Sequence, residues 1–151
     1  MKALECEPVG IVEREEGLEH KEGKEEIFSY DDFLRSKEAK ISIFEKYCEA
    51  LEGIRKGTLI WVIWYAHLVK DRPLKVHPFK DPKMPELGVF ATRSPARPCP
   101  IGLSLCYVVS VDGCELKVKG LDAVDGTPVI DLKLYSRGLD DPREVLALAR
   151  G

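Results

Sequence analysis

Three groups of residues in this chain have types and spacing suited to chemistry. The first lies in GVFATRSPARPCPIGLS, residues 88–104, where Arg93 and Arg97 stand among Pro95, Pro98 and Pro100. Each proline fixes its own φ and pushes the residue before it out of the helical region. Ser94, Arg97 and Cys99 are thereby biased to extended backbone. Two guanidiniums on so stiff a frame suit an anionic or planar ligand. An ordinary proline-rich connection carrying two solvated arginines is the plain alternative. The second group is Asp122, Asp125 and Asp131, crowded into ten residues of GLDAVDGTPVIDLKLY, 120–135. Turn chemistry at Asp125-Gly126 and a solvated strand face account for these carboxylates equally well. The third is His67, at the point where an apolar run turns polar. A histidine there is either simply hydrogen-bonded or part of a site.

The elements that must position these residues are mostly strands. TLIWVIWYA, 58–66, is a near-continuous β-branched and aromatic run ending at His67. It reads as a central strand buried on both faces, with Trp61 and Trp64 in the core. VGIV, 9–12, and the alternation around Ile41 and Ile43 give two short strands, and YDDFLRS, 30–36, a helical turn. Phe44, Tyr47, Cys48 and Leu51 stand at helical spacing before Gly53, a C-terminal stop. Leu87 to Ala91 reads as a strand entering the proline-rich loop, and LSLCYVVSV, 103–111, as the strand leaving it. Asp112-Gly113 then predicts a tight hairpin into CELKVK, 114–119, with Leu116 and Val118 on one face. Pro128 opens another strand, on which Asp131, Lys133 and Tyr135 oppose Ile130, Leu132 and Leu134. Asp141 and Pro142 look like the cap and first residue of a final helix. Its Val145, Leu146 and Leu148 would pack on the barrel or on a second subunit. Strands without βαβ rhythm predict a mainly all-β fold, a small antiparallel β-barrel with a few short helices, in a single domain over 1–151. Any nucleotide-like cofactor would bind outside a Rossmann sheet, since there is no GxGxxG and no P-loop.

Composition narrows the function. A net charge of −3 argues against coating nucleic acid by bulk charge. A local basic patch stays open: residues 70–83 carry Lys70, Arg72, Lys75, Lys80 and Lys83 against Asp71 and Asp81. Residues 13–26 hold seven glutamates, and 13–27 read as a mobile loop. The longest apolar run, near 59–66, is too short to span a bilayer. Five cysteines with no CxxC pair and no zinc-ligand spacing predict free thiols, no metal and a cytoplasmic location. A Cys106–Cys114 bridge across the hairpin becomes an option in a hot-living cell.

Residues 88–104, taken with LDAVDGTPVIDLKLY at 121–135, resemble the TsaA-like family. That family comprises S-adenosylmethionine-dependent tRNA methyltransferases acting on N6 of the threonylcarbamoyl-adenosine beside the anticodon. Its patterns read GVFATRSPxRPNPIGLS and DxxDGTPVxDIKPY, and the strand ending in His67, like VGIV, is also similar. The resemblance implies a β-barrel enzyme, a homodimer, binding S-adenosyl-L-methionine and the tRNA anticodon loop. By match of motif it implies cofactor contacts at His67, Leu68, Arg93, Leu103, Asp122, Ala123, Val124 and Asp125. Carboxylates suit the cofactor's hydroxyls and ammonium, and Arg93 its carboxylate or ring. By position, Asp131 and Tyr135 are the candidates to take the N6 proton, with His67 as the alternative, and Arg97 and the lysine-rich segment face the RNA. The family's Asn is Cys99 here, and its early PRQ segment has no counterpart between Val12 and Ile27. A cofactor-binding sensor without transfer activity, or a methyltransferase on another substrate, are the competing readings.

Overall fold

The structure is a computed structural model that describes residues 1–15, 32–78 and 81–151. Most of the glutamate-rich loop, the start of the 30–36 turn and Lys80 lie outside the described residues. Among the described residues eight strands form: β1 (Gly10–Glu13), β2 (Ala39–Ile43), β3 (Leu59–Tyr65), β4 (Lys75–Val76), β5 (Leu87–Gly88), β6 (Ile101–Asp112), β7 (Glu115–Lys119) and β8 (Pro128–Leu134). Six of them close into an antiparallel barrel in the order β1-β2-β7-β6-β3-β8, as the alternation of apolar and polar residues predicts. Strands β4 and β5 pair as a separate ribbon.

Register explains the core. Val12 pairs with Ile41, Ile41 with Leu116, Val118 with Val108, and Ile60 with Cys106. Partners in an antiparallel ladder point to the same face, so these side chains converge on the interior and are fully buried there. A barrel of this size is filled by its own side chains.

Several expectations need correction. Strand β3 is buried on one face only: Ile60, Val62 and Trp64 are inside, while Leu59 is exposed and Trp61, Ile63 and Tyr65 are half-buried. Barrel closure leaves every strand an outer face, and β3 keeps its outer face apolar. The hairpin turn is Gly113-Cys114, with Gly113 at φ 59° and Asp112 paired to Glu115, one residue later than the sequence suggested. This shift decides the cysteines. Cys114 sits in the turn and bonds Cys48, closing a disulfide, whereas Cys106 lies at the far end of the hairpin and inside the barrel. Cys6 and Cys99 are exposed thiols. The segment at 45–51 winds as a 3₁₀ helix, Glu45–Leu51, with the disulfide leaving from its middle. After Leu87–Gly88 the chain makes a 3₁₀ turn, Val89–Ala91, rather than a longer strand.

Three α-helices are described: α1 (Asp32–Ser36), α2 (Arg137–Asp140) and α3 (Pro142–Arg150). Asp141 caps α3 as expected, accepting from the backbone N–H of Arg143 at 2.9 Å. Val145, Leu146 and Leu148 remain exposed, so α3 does not pack on the barrel.

Candidate functional site

The strongest candidate gathers where β3 leaves the barrel and the proline-rich loop enters β6. Position by position the loop is fixed. Pro95, Ala96 and Pro100 are buried, so the stiff backbone is anchored into the fold. The N–H of Ala66 donates to the carbonyl of Pro100 at 2.8 Å, tying the end of β3 to the end of the loop. The two arginines take different roles. Arg93 reaches forward and donates from Nη2 to the carbonyl of Leu103 at 2.6 Å. Arg97 turns back on its own loop, donating from Nη1 to the carbonyls of Thr92 and Ser94 at 3.3 and 3.1 Å.

Next to Leu103, the other parity of β6 begins a polar line through the barrel wall. The Trp64 indole donates to the Ser104 hydroxyl at 3.0 Å, and that hydroxyl donates to an Asp122 carboxylate oxygen at 2.6 Å. Ser104 and Trp64 are both buried. Gly102 makes this possible, because it pairs with Trp64 and a Cβ there would stand 2.1 Å from the indole. Asp122 thus arrives with one oxygen already fixed. Burial, with the Asp122 carboxylate adding to it, pushes the nearby Cys106 thiol up to about 12, so that thiol stays protonated and inert.

Arg14, from just beyond β1, holds the acidic loop from the other side. Its backbone N–H donates to Asp125 Oδ1 at 2.8 Å. Its guanidinium donates to the carbonyls of Leu121 at 2.6 Å, Ala123 at 2.8 and 3.0 Å, and Leu34 at 3.2 Å. Ala123 is buried, Val124 half-buried and Asp125 exposed, so the loop turns outward at Asp125. Gly126, at φ 78°, completes that turn. His67 Nε2 lies 3.9 Å from the position a Gly126 Cβ would take, and His67 and Leu68 are exposed. Arg93, Leu103, Asp122, Asp125 and His67, five of the eight residues that the motif match assigns to the cofactor, are therefore drawn together. Arg93 bonds Leu103, Leu103 neighbours Ser104, Ser104 bonds Asp122, and the Asp125-Gly126 turn faces His67.

A family model described as the tRNA-methyltransferase O N-terminal domain matches residues 23–141. The chain belongs to this family. A probable S-adenosyl-L-methionine-binding protein of Methanothermobacter thermautotrophicus is 43% identical over 105 residues, covering 70% of this chain and 74% of the relative. A tRNA (adenine(37)-N6)-methyltransferase of Mus musculus is 36% identical over 111 residues, covering 69% of this chain and 24% of the relative. The solved structure of TrmO from Pseudomonas aeruginosa superposes with a TM-score of 0.67 at 25% identity, over 92% of this chain. The chain spans 58% of that solved chain.

Within this tRNA-methyltransferase O N-terminal domain, the two residues named by position as proton acceptors both lie on β8 or just after it. A register shift between Ile63 and Trp64 on the β3–β8 ladder turns Asp131 to the outer face, opposite Ile63. There Asp131 pairs with Lys133 at 2.8 Å. Ile63 also pairs with Leu103, so Asp131 lies two strands, roughly 10 Å, from Leu103. The backbone N–H of Tyr135 bonds the Leu59 carbonyl, at the end of β3 away from His67, roughly 20 Å along the strand. Sequence reading missed three contributors. Ser104 and Trp64 carry a faint signal, a polar residue at interior parity facing a glycine's partner. Arg14 carries none, being one cation in a glutamate-rich run. Among the described residues no cluster could hold a metal ion and no helix is long and apolar enough to cross a membrane.

Proposed function

We propose that this barrel end binds S-adenosyl-L-methionine and that the chain transfers its methyl group to N6 of the threonylcarbamoyl-adenosine beside a tRNA anticodon. The observation that carries the reading is the hydrogen-bonded line Arg93–Leu103–Ser104–Asp122, closed by His67 beside the 122–126 loop, in a chain of the tRNA-methyltransferase O family. The donor set fits the cofactor. Asp122 and Asp125 offer carboxylates to ribose hydroxyls and an ammonium, and Arg93 offers a guanidinium to a carboxylate or an adenine face. Leu68, Leu103, Ala123 and Val124 supply the apolar wall. When bound, the cofactor supplies an electrophilic methyl group on a sulfonium centre. The chain's own task is alignment: Asp122, held by Ser104, and the turn held by Arg14 keep their acceptors fixed before binding, and orientation dominates the rate of in-line transfer.

The bound cofactor would supply the methyl group with its carbon–sulfur bond as the one broken, and the N6 proton would leave to a base of the chain. His67 stands at the cluster and takes that proton in this reading; Asp131 and Tyr135 are the alternative pair. Methyl transfer lost in His67→Gln but kept in Asp131→Asn supports His67, and the reverse supports Asp131. Arg97 and the segment bearing Lys70, Arg72, Lys75 and Lys83 face the RNA, where phosphates meet positive charge.

The working unit in this reading is a homodimer in the cytoplasm. Leu59, Trp61 and Ile63 on β3 pair with Tyr107, Leu105 and Leu103 on β6, forming an apolar outer face. Leu103, Leu105 and Tyr107 are each about two-fifths exposed. A monomer seldom leaves so continuous a patch to water, and α3 adds Val145, Leu146 and Leu148. A second copy covers both. The Cys48–Cys114 disulfide suits a cytoplasm of the hot-living kind, where intracellular disulfides are common.

Calorimetry with S-adenosyl-L-methionine tests the reading first. Saturable binding is expected, and folded protein that does not bind it overturns the account. Incubation with labelled cofactor and tRNA bearing threonylcarbamoyl-adenosine, followed by nucleoside mass analysis, then separates the readings. Methylated N6 is expected; binding without transfer points to a sensor, and transfer to another acceptor points to a different substrate.

A further inference from the structure

Phe90 is 83% exposed, an unusual state for a phenylalanine held on a rigid turn. It lies in the middle of the 3₁₀ turn Val89–Ala91, whose backbone is tied down at Val89 and Thr92. Val89 is buried, and its N–H donates to the Leu74 carbonyl at 2.9 Å. Its carbonyl accepts from the Thr92 hydroxyl at 2.8 Å and from the Thr92 N–H at 3.1 Å. The ring is therefore presented to solvent by design of the backbone rather than by disorder of a loop. The excursion before it is net cationic, with Lys70, Arg72, Lys75, Lys80 and Lys83 against Asp71, Asp81 and Glu86. Ribbon pairing sets Lys75 opposite Gly88, two residues before Phe90, and Arg93 follows three residues after. Lys70, Arg72 and Lys83 lie exposed on the same excursion.

We propose that Phe90 is a stacking platform for an unpaired base of the RNA substrate, with Lys75 set beside it to meet the phosphate backbone. The inference rests on the tRNA reading given above and deepens it. Sequence-tolerant recognition of single-stranded RNA combines a π-face with positive charge along the backbone track. A contact with a second copy of the chain is the competing occupant. The lysines argue against it, because lysine is depleted in the buried part of protein–protein interfaces. Arg93 adds a connection to the site, since it spans from this turn to the Leu103 carbonyl. A base seated on Phe90 would hold its neighbour close to the proposed methyl donor.

The test uses the full chain, an anticodon stem–loop RNA carrying threonylcarbamoyl-adenosine, and the variants Phe90→Ala, Phe90→Leu and Phe90→Trp. Phe90→Ala and Phe90→Leu are expected to weaken RNA binding by about ten-fold or more, while Phe90→Trp keeps it. The dissociation constant for S-adenosyl-L-methionine and the oligomeric mass stay unchanged in all three. Lys75→Ala is expected to lower the salt slope of RNA binding by about one. Leucine restoring full RNA binding, or alanine changing the oligomeric mass, overturns the proposal, because an apolar contact needs bulk rather than a π-face. If the wild-type chain binds the RNA and Phe90→Ala binds it equally well, this inference alone fails. If the wild-type chain does not bind the RNA, the tRNA reading fails with it.

Discussion

Gly102→Ala is the smallest change that probes the candidate site through the fold. A methyl group at residue 102 would stand 2.1 Å from Cε2, 2.3 Å from Cζ2 and 2.5 Å from Cδ2 of Trp64. Carbon atoms settle near 3.5–4.0 Å, so the ring must retreat by roughly 1.5 Å. The indole is buried in the core cluster, so its retreat displaces packed neighbours. The retreat takes the Trp64 N–H away from the Ser104 hydroxyl, now 3.0 Å distant. Overpacking of this kind costs about 1–3 kcal/mol, and the lost hydrogen bond in a buried place adds about 1 kcal/mol. A total of roughly 2–4 kcal/mol lowers the melting temperature by roughly 5–15 °C for a chain of this length. Thermal unfolding measures that shift. In a Trp61→Phe background, where Trp64 is the remaining tryptophan, the emission should also report a changed indole environment. Affinity for S-adenosyl-L-methionine should fall in parallel, as Asp122 loses the far end of its support. Ser104→Ala serves as the companion: packing is kept, the polar line is cut, and cofactor affinity should fall with a smaller loss of stability. A Gly102→Ala protein with unchanged melting temperature and unchanged cofactor affinity would refute the reasoning, since it would mean that the barrel wall yields freely at its tightest contact.

Removing the Cys48–Cys114 bond by Cys48→Ala with Cys114→Ala should lower stability by about 4 kcal/mol on the chain-entropy account of a loop this long. Denaturant unfolding with and without reductant measures it, and mass analysis showing both thiols free in the oxidised wild-type protein would remove the premise. Arg14→Gln should weaken S-adenosyl-L-methionine binding by about ten-fold, because a neutral amide cannot bridge the Leu121, Ala123 and Leu34 carbonyls together. Turnover at saturating cofactor should remain near wild type; an unchanged dissociation constant would show that the acidic loop holds itself. Acid should loosen the C-terminal helices first. The Ser136 N–H and the Trp61 indole hold Asp140 below its ordinary value of 3.8, and Arg143 does the same for Asp141. Lowered carboxylates favour the folded form above the unfolded value, and the contribution disappears as pH falls through the lowered values. Helical signal from α2 and α3 should therefore decline below about pH 4 before the barrel melts, and Asp141→Asn should remove part of that dependence; a single cooperative acid transition would count against it.

The barrel itself was readable because its strands alternate. Leu116 and Val118 face inward between Glu115, Lys117 and Lys119, and strands do not alternate regularly with helices along the chain. The β3 run misled for a physical reason: an apolar residue on the outer face looks the same in sequence as one buried beneath a helix layer. Its outer face is apolar, and α2 covers only part of it, with the Trp61 indole donating to Asp140 at 3.0 Å. The cysteines were misread because pairing depends on register. Moving the turn by one residue carries Cys114 out of the ladder and within bonding distance of a helix whose sequence position, 66 residues earlier, holds no hint of contact.

The site shows the same division between what is local and what is not. Proline stiffness and the Asp125-Gly126 turn are local properties, so the loop and the acidic turn could be singled out from composition and spacing. What draws them together is the pairing of Trp64 with Gly102, the reach of Arg14 across the loop, and the register shift in β8. That shift matters most for the chemistry. Strict alternation from Val129 would have turned Asp131 inward with it, toward the interior end of the Asp122 line. The extra residue at Ile130 turns it outward instead, beside Ile63 on the apolar face that a second copy is proposed to cover. Asp131 shares that outer face with Leu103, across Ile63 on the strand between them, whereas His67 stands beside the 122–126 loop. Single-turnover transfer at saturating cofactor would separate the two: the rate should collapse in His67→Gln and persist in Asp131→Asn if His67 takes the proton, and the reverse result would assign the proton to Asp131.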